Sequence, residues 1–205
     1  MILPRFYPIL DTVALERSGV NIVSAASDLL AAGAKILQLR HKGHYDRALY
    51  GHAERIATLC EDFDALLVIN DRADIAMLLN TGLHVGQDDI PPSHARSLIG
   101  ANRVLGFSTH NSEQLAAAAS EPIDYVAIGP IFYTSSKQTP DPVVGVNELR
   151  RLKSRAKSPL VAIGGITREK ALEVWEAGAD SIAVVGDLYP DVGERAREWI
   201  RLANE

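Results

Sequence analysis

Two cations and an amide stand close together in the segment Gln38-Leu39-Arg40-His41-Lys42. If the segment ends a strand, Gln38 and Arg40 share one side and Lys42 follows them into the loop. A guanidinium and an ammonium at this spacing suit the oxygens of a phosphorylated ligand, and the amide suits a polar ring. Two further apolar runs end in Asn70-Asp71 and in Gly86-Gln87-Asp88-Asp89. A pair of carboxylates completed by phosphate oxygens and water is a Mg²⁺ site. Asp71 and Asp89 make the better pair, since Asp88 alternates to the other side. In Gly106-Phe107-Ser108-Thr109-His110, Ser108 can donate to a phosphate oxygen. A long segment from Gly129 to Lys137 carries Thr134, Ser135, Ser136 and Lys137, which suit an anionic substrate. Its length, with Pro142 and Gly145 beyond, suits a lid. Gly164-Gly165 and Val185-Gly186 close two later runs and let backbone N–H groups approach an anion.

Each residue also has a plainer reading. Arg40 can pair with a neighbouring carboxylate, and Asp71, Asp89 and Ser108 can cap helices. The loop after the sixth run can be ordinary solvated chain. His84 sits inside a strand and reads as a packed core histidine, while His41 and His44 lack metal partners. Cys60 lies on a helix face and reads as buried; Trp175 and Trp199 read as helix packing. The serine segment is not a G-x-S-x-G elbow, so serine hydrolysis is set aside. A Schiff-base aldolase would want a lysine on an inner strand, and Tyr125–Ile128 has none.

The elements that must position these groups follow from the pattern. Apolar runs predict strands near Tyr7–Leu10, Ile36–Arg40, Leu66–Ile69, Leu83–Val85, Val104–Phe107, Tyr125–Ile128, Leu160–Ile163 and Ile182–Val185. They are nearly continuous in apolar character, as strands covered on both faces are. Between them the period turns helical: Ile22, Val23, Ala26, Leu29 and Leu30 form one stripe. Leu49, Ala53, Ile56, Ala57 and Cys60 form a second, and Ala171, Leu172 and Trp175 a third. Gly33 and Gly178 suit helix C-terminal caps and Thr167 an N-cap. Eight strands alternating with eight helices predict an α/β fold, a compact (β/α)₈ TIM barrel in one domain over residues 1–205. Its active site is then expected at the C-terminal ends of the strands. A doubly wound open sheet is the alternative.

With 205 residues, 47% apolar and 23% charged, the composition is that of a globular chain with a sizeable core. No apolar run approaches the ~20 residues of a membrane span, and the N-terminal residues lack a secretory apolar stretch, so no membrane partner is expected. Cys60 is the sole cysteine, which points to a reducing cytoplasm. Lys plus Arg number 21 and Asp plus Glu 26, a net charge of −5. That balance speaks against non-specific nucleic-acid binding and leaves small phosphorylated molecules as expected partners.

The segments quoted above, together with Gly82-Leu83-His84-Val85, Asp124-Tyr125-Val126-Ala127-Ile128-Gly129-Pro130-Ile131-Phe132, Val161-Ala162-Ile163-Gly164-Gly165-Ile166 and Gly178-Ala179-Asp180, resemble the thiamine phosphate synthase family in order and spacing. The resemblance covers nearly the whole chain. It implies a transferase that joins hydroxymethylpyrimidine diphosphate to thiazole phosphate and releases pyrophosphate. It further implies that Gln38, Leu39, Arg40, His41, Lys42, Asn70, Ser108 and Lys137 surround the pyrimidine diphosphate. Of these, Arg40, Lys42, Ser108 and Lys137 would be catalytic. Thr134, Ser135, Ser136, Gly165, Val185 and Gly186 would contact the thiazole phosphate, and Asp71 and Asp89 would hold one Mg²⁺ per site. A homodimer is the family's implied assembly. One departure stands out: members usually carry a Ser-Ala-Ile-like segment where this chain has Gly186-Asp187-Leu188. A backbone grip survives that change, a hydroxyl contact is lost, and Asp187 brings negative charge toward the expected phosphate. Rival readings are a thiazole tautomerase-like isomerase, expected to lack Asn70, Asp71 and Asp89, and a non-catalytic barrel that binds phosphorylated ligands.

Overall fold

The computed structural model describes residues 2–134 and 141–205. Its strands are β1 (Phe6–Asp11), β2 (Ile36–Arg40), β3 (Leu66–Asn70), β4 (Gly82–Val85), β5 (Leu105–Thr109), β6 (Tyr125–Ile128), β7 (Leu160–Ile163) and β8 (Ser181–Val184). All pair in parallel with their chain neighbours, and β8 returns to pair with β1. That closure removes the open-sheet alternative and confirms the barrel. The helices are α1 (Thr12–Ser18), α2 (Ile22–Ala31), α3 (Arg47–Asp62), α4 (Ala73–Leu78), α5 (Pro92–Ile99), α6 (Ser112–Ala118), α7 (Val146–Lys153), α8 (Arg168–Glu176) and α9 (Val192–Ala203). A short 3₁₀ turn at Gly186–Leu188 follows β8.

Strict alternation fails once. Two helices, α1 and α2, lie between β1 and β2, making nine helices among the described residues. Gly19, at φ 66°, takes the left-handed conformation that ends α1, and the Asn21 side chain starts α2 by accepting from the N–H groups of Val23 and Ser24. The third helical stripe is also corrected. Leu172 is 61% exposed, whereas Val174 is buried, so α8 packs through Ala171, Val174 and Trp175. Val185, expected to end the last strand, lies just past it.

Two apolar layers hold the barrel. One fills the space between strands and helices and includes Leu29, Leu39, Ile56, Cys60, Leu83, Val174 and Trp199. The other fills the interior with Tyr7, Ile9, Ile36, Val68, Tyr125, Ala127, Val161 and Ala183. Each fully buried large apolar side chain contributes roughly 1.5–3 kcal/mol relative to exposure. Trp199 is wholly buried and stacks on Phe6 with ring centroids 5.5 Å apart, tying α9 to β1. Burial pushes the Cys60 thiol up to about 12, which keeps it a protonated packing residue, as expected. No helix among the described residues is long and apolar enough to cross a membrane.

Candidate active site

The C-terminal ends of β2, β3 and β4 bring their charged residues together. Asp71 leaves β3 with φ 64° and donates its N–H to the His84 carbonyl at 2.8 Å. From there its carboxyl group shares a hydrogen bond with that of Asp89, and the Lys42 ammonium pairs with it from the loop after β2. Burial, and then the bond to Asp89, pushes the Asp71 carboxyl above its ordinary value, against the pull of Lys42. Burial alone would raise Asp89 too, but the Asp71 hydrogen bond and the Gly86 N–H at 2.8 Å hold it below the usual range. The hydrogen bond between them thus moves the two carboxyl groups in opposite directions, as close carboxyl groups do. The capping alternative fails for both: the residues before α4 and α5 are Arg72 and Pro91, and neither Asp caps a helix. Asp88 points out into solvent. Among the described residues no cluster of three or more His, Cys, Asp or Glu gathers. Two hard carboxyl ligands side by side fit a small divalent cation that keeps the rest of its shell on phosphate oxygens and water.

Arg40 ends β2 opposite Asp11, its register partner on β1. Asp11 pairs with the Arg40 Nη1 while its other oxygen accepts from the Ala14 N–H, capping α1. The carboxylate-paired reading of Arg40 is thus realised, and the guanidinium is fixed at the strand end with 22% of the side chain exposed. Two neighbours do not join it. Leu39 is fully buried between barrel and helices, because alternation along β2 turns it away from the interior. His41 is held in its loop by the Thr12 hydroxyl at 2.8 Å and the His44 carbonyl at 3.2 Å.

Beneath the charged rim, polar groups cross the barrel interior. The Gln38 Nε2 donates to the Tyr7 hydroxyl at 3.0 Å, and the Tyr7 and Tyr125 hydroxyls lie 2.8 Å apart. His84 Nδ1 is 2.9 Å from the Tyr125 hydroxyl, and its Nε2 is 2.8 Å from the Ser108 Oγ. Burial pushes His84 down to about 4 and pushes both tyrosine hydroxyls up, so all three are neutral at pH 7. His84 is the packed histidine the sequence suggested, but it also links to the site through Ser108. Asn70 is 5% exposed and its Nδ2 is buried without a partner among the described residues. A buried amide donor left unmade costs free energy, and at a strand end it marks a place for a ligand acceptor.

Gly106 makes this interior possible. A Cβ there would lie 2.1 Å from the Tyr125 Cζ and 2.5 Å from the His84 Nδ1. Gly106→Ala is therefore expected to displace both rings, costing about 1–3 kcal/mol by overpacking. A lowered melting temperature, together with reduced turnover, checks this; a variant equal to the parent in both refutes the packing argument.

On the opposite side, the start of the loop after β6 lies on the end of β7. Ile131 and Phe132 donate their N–H groups to the carbonyls of Ile163 and Gly164, both at 2.9 Å. Gly165, at φ 64°, has the Tyr133 carbonyl oxygen 2.4 Å from where a Cβ would stand. Loop packing thus already demands glycine there, whatever anion its backbone meets. Thr134 is half-buried on the same loop. Ser135, Ser136 and Lys137, and with them the centre of the expected lid, lie outside the described residues. Gly186 is exposed with open space around its Cβ position. The expectation for Asp187 is corrected. Its carboxylate turns inward to the Arg168 Nε and the Trp199 Nε1, each at 3.0 Å, with the Arg168 N–H at 3.3 Å and Arg195 beside it. It stands in for Thr167, which occupies the N-cap position of α8 without making the capping bond.

Sequence reasoning missed Tyr7, Tyr125 and Asp11. Tyrosines within apolar runs read as core, and only the register reveals that their hydroxyls meet. Asp11 could have been found as a carboxylate at the end of the first strand, facing Arg40 at the end of the second.

Residues 6–188 match the family model described as thiamine monophosphate synthase. A protein named thiamine-phosphate synthase from Koribacter versatilis is 44% identical over 203 residues, covering 98% of this chain and 96% of that one. One of the same name from Methanospirillum hungatei is 37% identical over 187 residues, covering 90% and 91%. The solved thiamine phosphate pyrophosphorylase of Pyrococcus furiosus superposes with a TM-score of 0.88 at 29% identity, covering 98% of this chain and 96% of its own. With its closed barrel and near-complete match to these relatives, this chain belongs to the thiamine monophosphate synthase family.

Proposed function

We propose that this chain is a thiamine phosphate synthase: a transferase that joins hydroxymethylpyrimidine diphosphate to thiazole phosphate, giving thiamine phosphate and pyrophosphate. The observation that carries this reading is the Asp71–Asp89 pair, held beside Lys42 at strand ends that also carry Arg40 and the unpaired Asn70 amide. A tautomerase-like isomerase or a plain phosphate-binding barrel has no need of that grouping.

Asp71 and Asp89 would hold Mg²⁺, which when bound neutralises charge on the departing diphosphate. The chain's own residues do the rest. Lys42, Arg40 and Lys137 offset the negative charge, while Ser108 and Asn70 donate to its oxygens. Gln38 contacts the pyrimidine. The bond from the pyrimidine methylene to the diphosphate oxygen breaks with its electron pair leaving on pyrophosphate. The ring amine supports the cationic methylene, and the lone pair of the thiazole nitrogen forms the new carbon–nitrogen bond. No protein nucleophile is required; the work is orientation and charge stabilisation. Thr134, Ser135, Ser136 and the backbone at Gly165, Val185 and Gly186 receive the thiazole phosphate. Arg40 acts as a fixed cation, since Asp11 holds it in place.

The test is to incubate purified protein with both substrates and Mg²⁺ and to follow thiamine phosphate. Stoichiometric thiamine phosphate and pyrophosphate are expected; absence of product at any metal concentration overturns the reading. The open space at Gly186 allows a second check. Gly186→Ser is expected to fold as the parent does and to lower KM for thiazole phosphate about two- to tenfold, the worth of one added hydrogen bond. An unchanged or raised KM would show that the phosphate sits elsewhere.

A further inference from the structure

We propose that Tyr7, Tyr125 and His84 form a one-way hydrogen-bond chain that joins the two ends of the pyrimidine diphosphate site and sets Gln38 as an acceptor for an amine. This rests on the function proposed above. The five groups come from five different strands or strand ends and touch in series, from Gln38 through Tyr7, Tyr125 and His84 to Ser108.

With the Gln38 Nε2 turned to Tyr7, donor counting gives every later link its direction. A nitrogen of the Gln38 amide group can only donate, so the Tyr7 oxygen accepts from it. The Tyr7 hydroxyl proton, wholly buried, must then go to its other partner, the Tyr125 oxygen. Tyr125 in turn gives its proton to His84 Nδ1. A fully buried imidazole carries one proton, because charging it there is costly. That proton is on Nε2 and is donated to the Ser108 Oγ. Ser108 is left with its own hydroxyl proton to donate. At the other end, the Gln38 Oε1 has no donor among the described residues. The chain thus presents an acceptor at one end and a donor at the other. An aminopyrimidine diphosphate has the complementary pair, an amine on the ring and anionic oxygens on the diphosphate.

The reverse direction is equally well bonded, and it is the wrong one. There Ser108 would donate to His84, each link would turn over, and Tyr7 would donate to an amide oxygen. Gln38 would then offer its NH₂ to the ligand, which suits a ring bearing an oxo group. An anion at Ser108 decides between the two. Once the serine proton is committed to a diphosphate oxygen, it cannot serve His84, and Nε2 must donate. Diphosphate binding therefore fixes the amide on the far side of the barrel. Tyr7, Tyr125 and His84 are positioning residues in this scheme, and the glycine at position 106 leaves the room that two of them need.

The experiment compares kcat/KM for the aminopyrimidine diphosphate and for its oxo analogue in the parent, Tyr7→Phe and Tyr125→Phe. Both variants keep the ring and remove one link, from different walls of the barrel. The parent is expected to favour the amine at least about 100-fold, as sites that pair a buried polar group do. In each variant that ratio is expected to fall at least about tenfold, through gain on the oxo analogue relative to the amine. Where turnover is too slow to measure, calorimetry reads the same preference from binding of the two diphosphate-free pyrimidines. In the parent, adding inorganic pyrophosphate with Mg²⁺ sharpens the preference for the amine; in the variants it does not. An equal loss on both substrates, with the ratio unchanged in a folded variant, overturns the chain and leaves the function standing. A parent that turns over neither substrate removes the function, and this inference with it.

Discussion

Asp71→Asn and Asp89→Asn are each expected to lower kcat about 10²–10³-fold, the loss that follows removal of one preorganised charge-stabilising group. The substitution is chosen to isolate charge from shape. Asp71 sits at φ 64°, a conformation that asparagine tolerates well, so the amide adds no backbone strain. Both side chains keep their size, and the Gly86 N–H retains an oxygen acceptor at position 89. What disappears is one of the two carboxyl groups facing Lys42 and the ligand. The half-saturating Mg²⁺ concentration should rise at least about tenfold in either variant. The melting temperature should stay close to that of the parent, because the altered contact joins two carboxyl groups that repel when both are ionised. Removing Mg²⁺ from the parent with a chelator should reproduce the loss in rate. Parent-like turnover with parent-like metal dependence in either variant refutes the assignment of the pair. Loss of the folded state instead would show that the carboxyl pair is structural.

The strand ends were legible because a barrel forces a simple rule. Apolar runs mark the strands, and whatever polar residue follows a run stands at one rim. Gln38, Arg40, Asn70, Asp71, Asp89 and Ser108 were all found this way, and the register places the strand residues among them at neighbouring ends. Less legible was which way a side chain turns once it arrives there. The family resemblance implies Leu39 and His41 around the diphosphate as well, yet alternation sends the Leu39 side chain to the helix layer and local bonds hold His41 in its loop. The doubled helix between β1 and β2 depends on Gly19 and Asn21, two residues whose effect is a matter of backbone angle and a capping bond. The tyrosine pair was invisible for a different reason. Nothing in a single strand says that the hydroxyls of residues 118 positions apart will meet at 2.8 Å. Long-range pairing of this kind is set by barrel closure, and a linear pattern carries no record of it.

The same distinction between proximity and direction governs Asp187, where the sequence and the structure predict opposite signs. A carboxylate facing the thiazole phosphate would repel it, and neutralising that carboxylate would then lower KM. The structure turns the group inward instead, with only 11% of the side chain exposed. There it binds Arg168 at the start of α8 and the Trp199 indole on α9, with Arg195 nearby. Arg168 also pairs with Glu198, so two helices and the turn after β8 meet at one network. Breaking a largely buried ion pair by removing one partner costs about 3–5 kcal/mol, because the other charge is left uncompensated. For a chain of this size that corresponds to a fall in melting temperature of roughly 6–20 °C. Asp187→Ala is expected to show that fall. Asp187→Asn, which keeps the shape and an oxygen for the Trp199 N–H, should show a smaller one. Neither should lower KM for thiazole phosphate; loosening the turn that carries Gly186 should raise it or leave it unchanged. A lowered KM with unchanged stability would restore the repulsion reading and place the carboxylate in the site. The inward geometry also accounts for how this chain can bear an acid beside its expected phosphate grip. Its charge is already matched by two guanidinium groups, so little of it is felt at the mouth of the barrel.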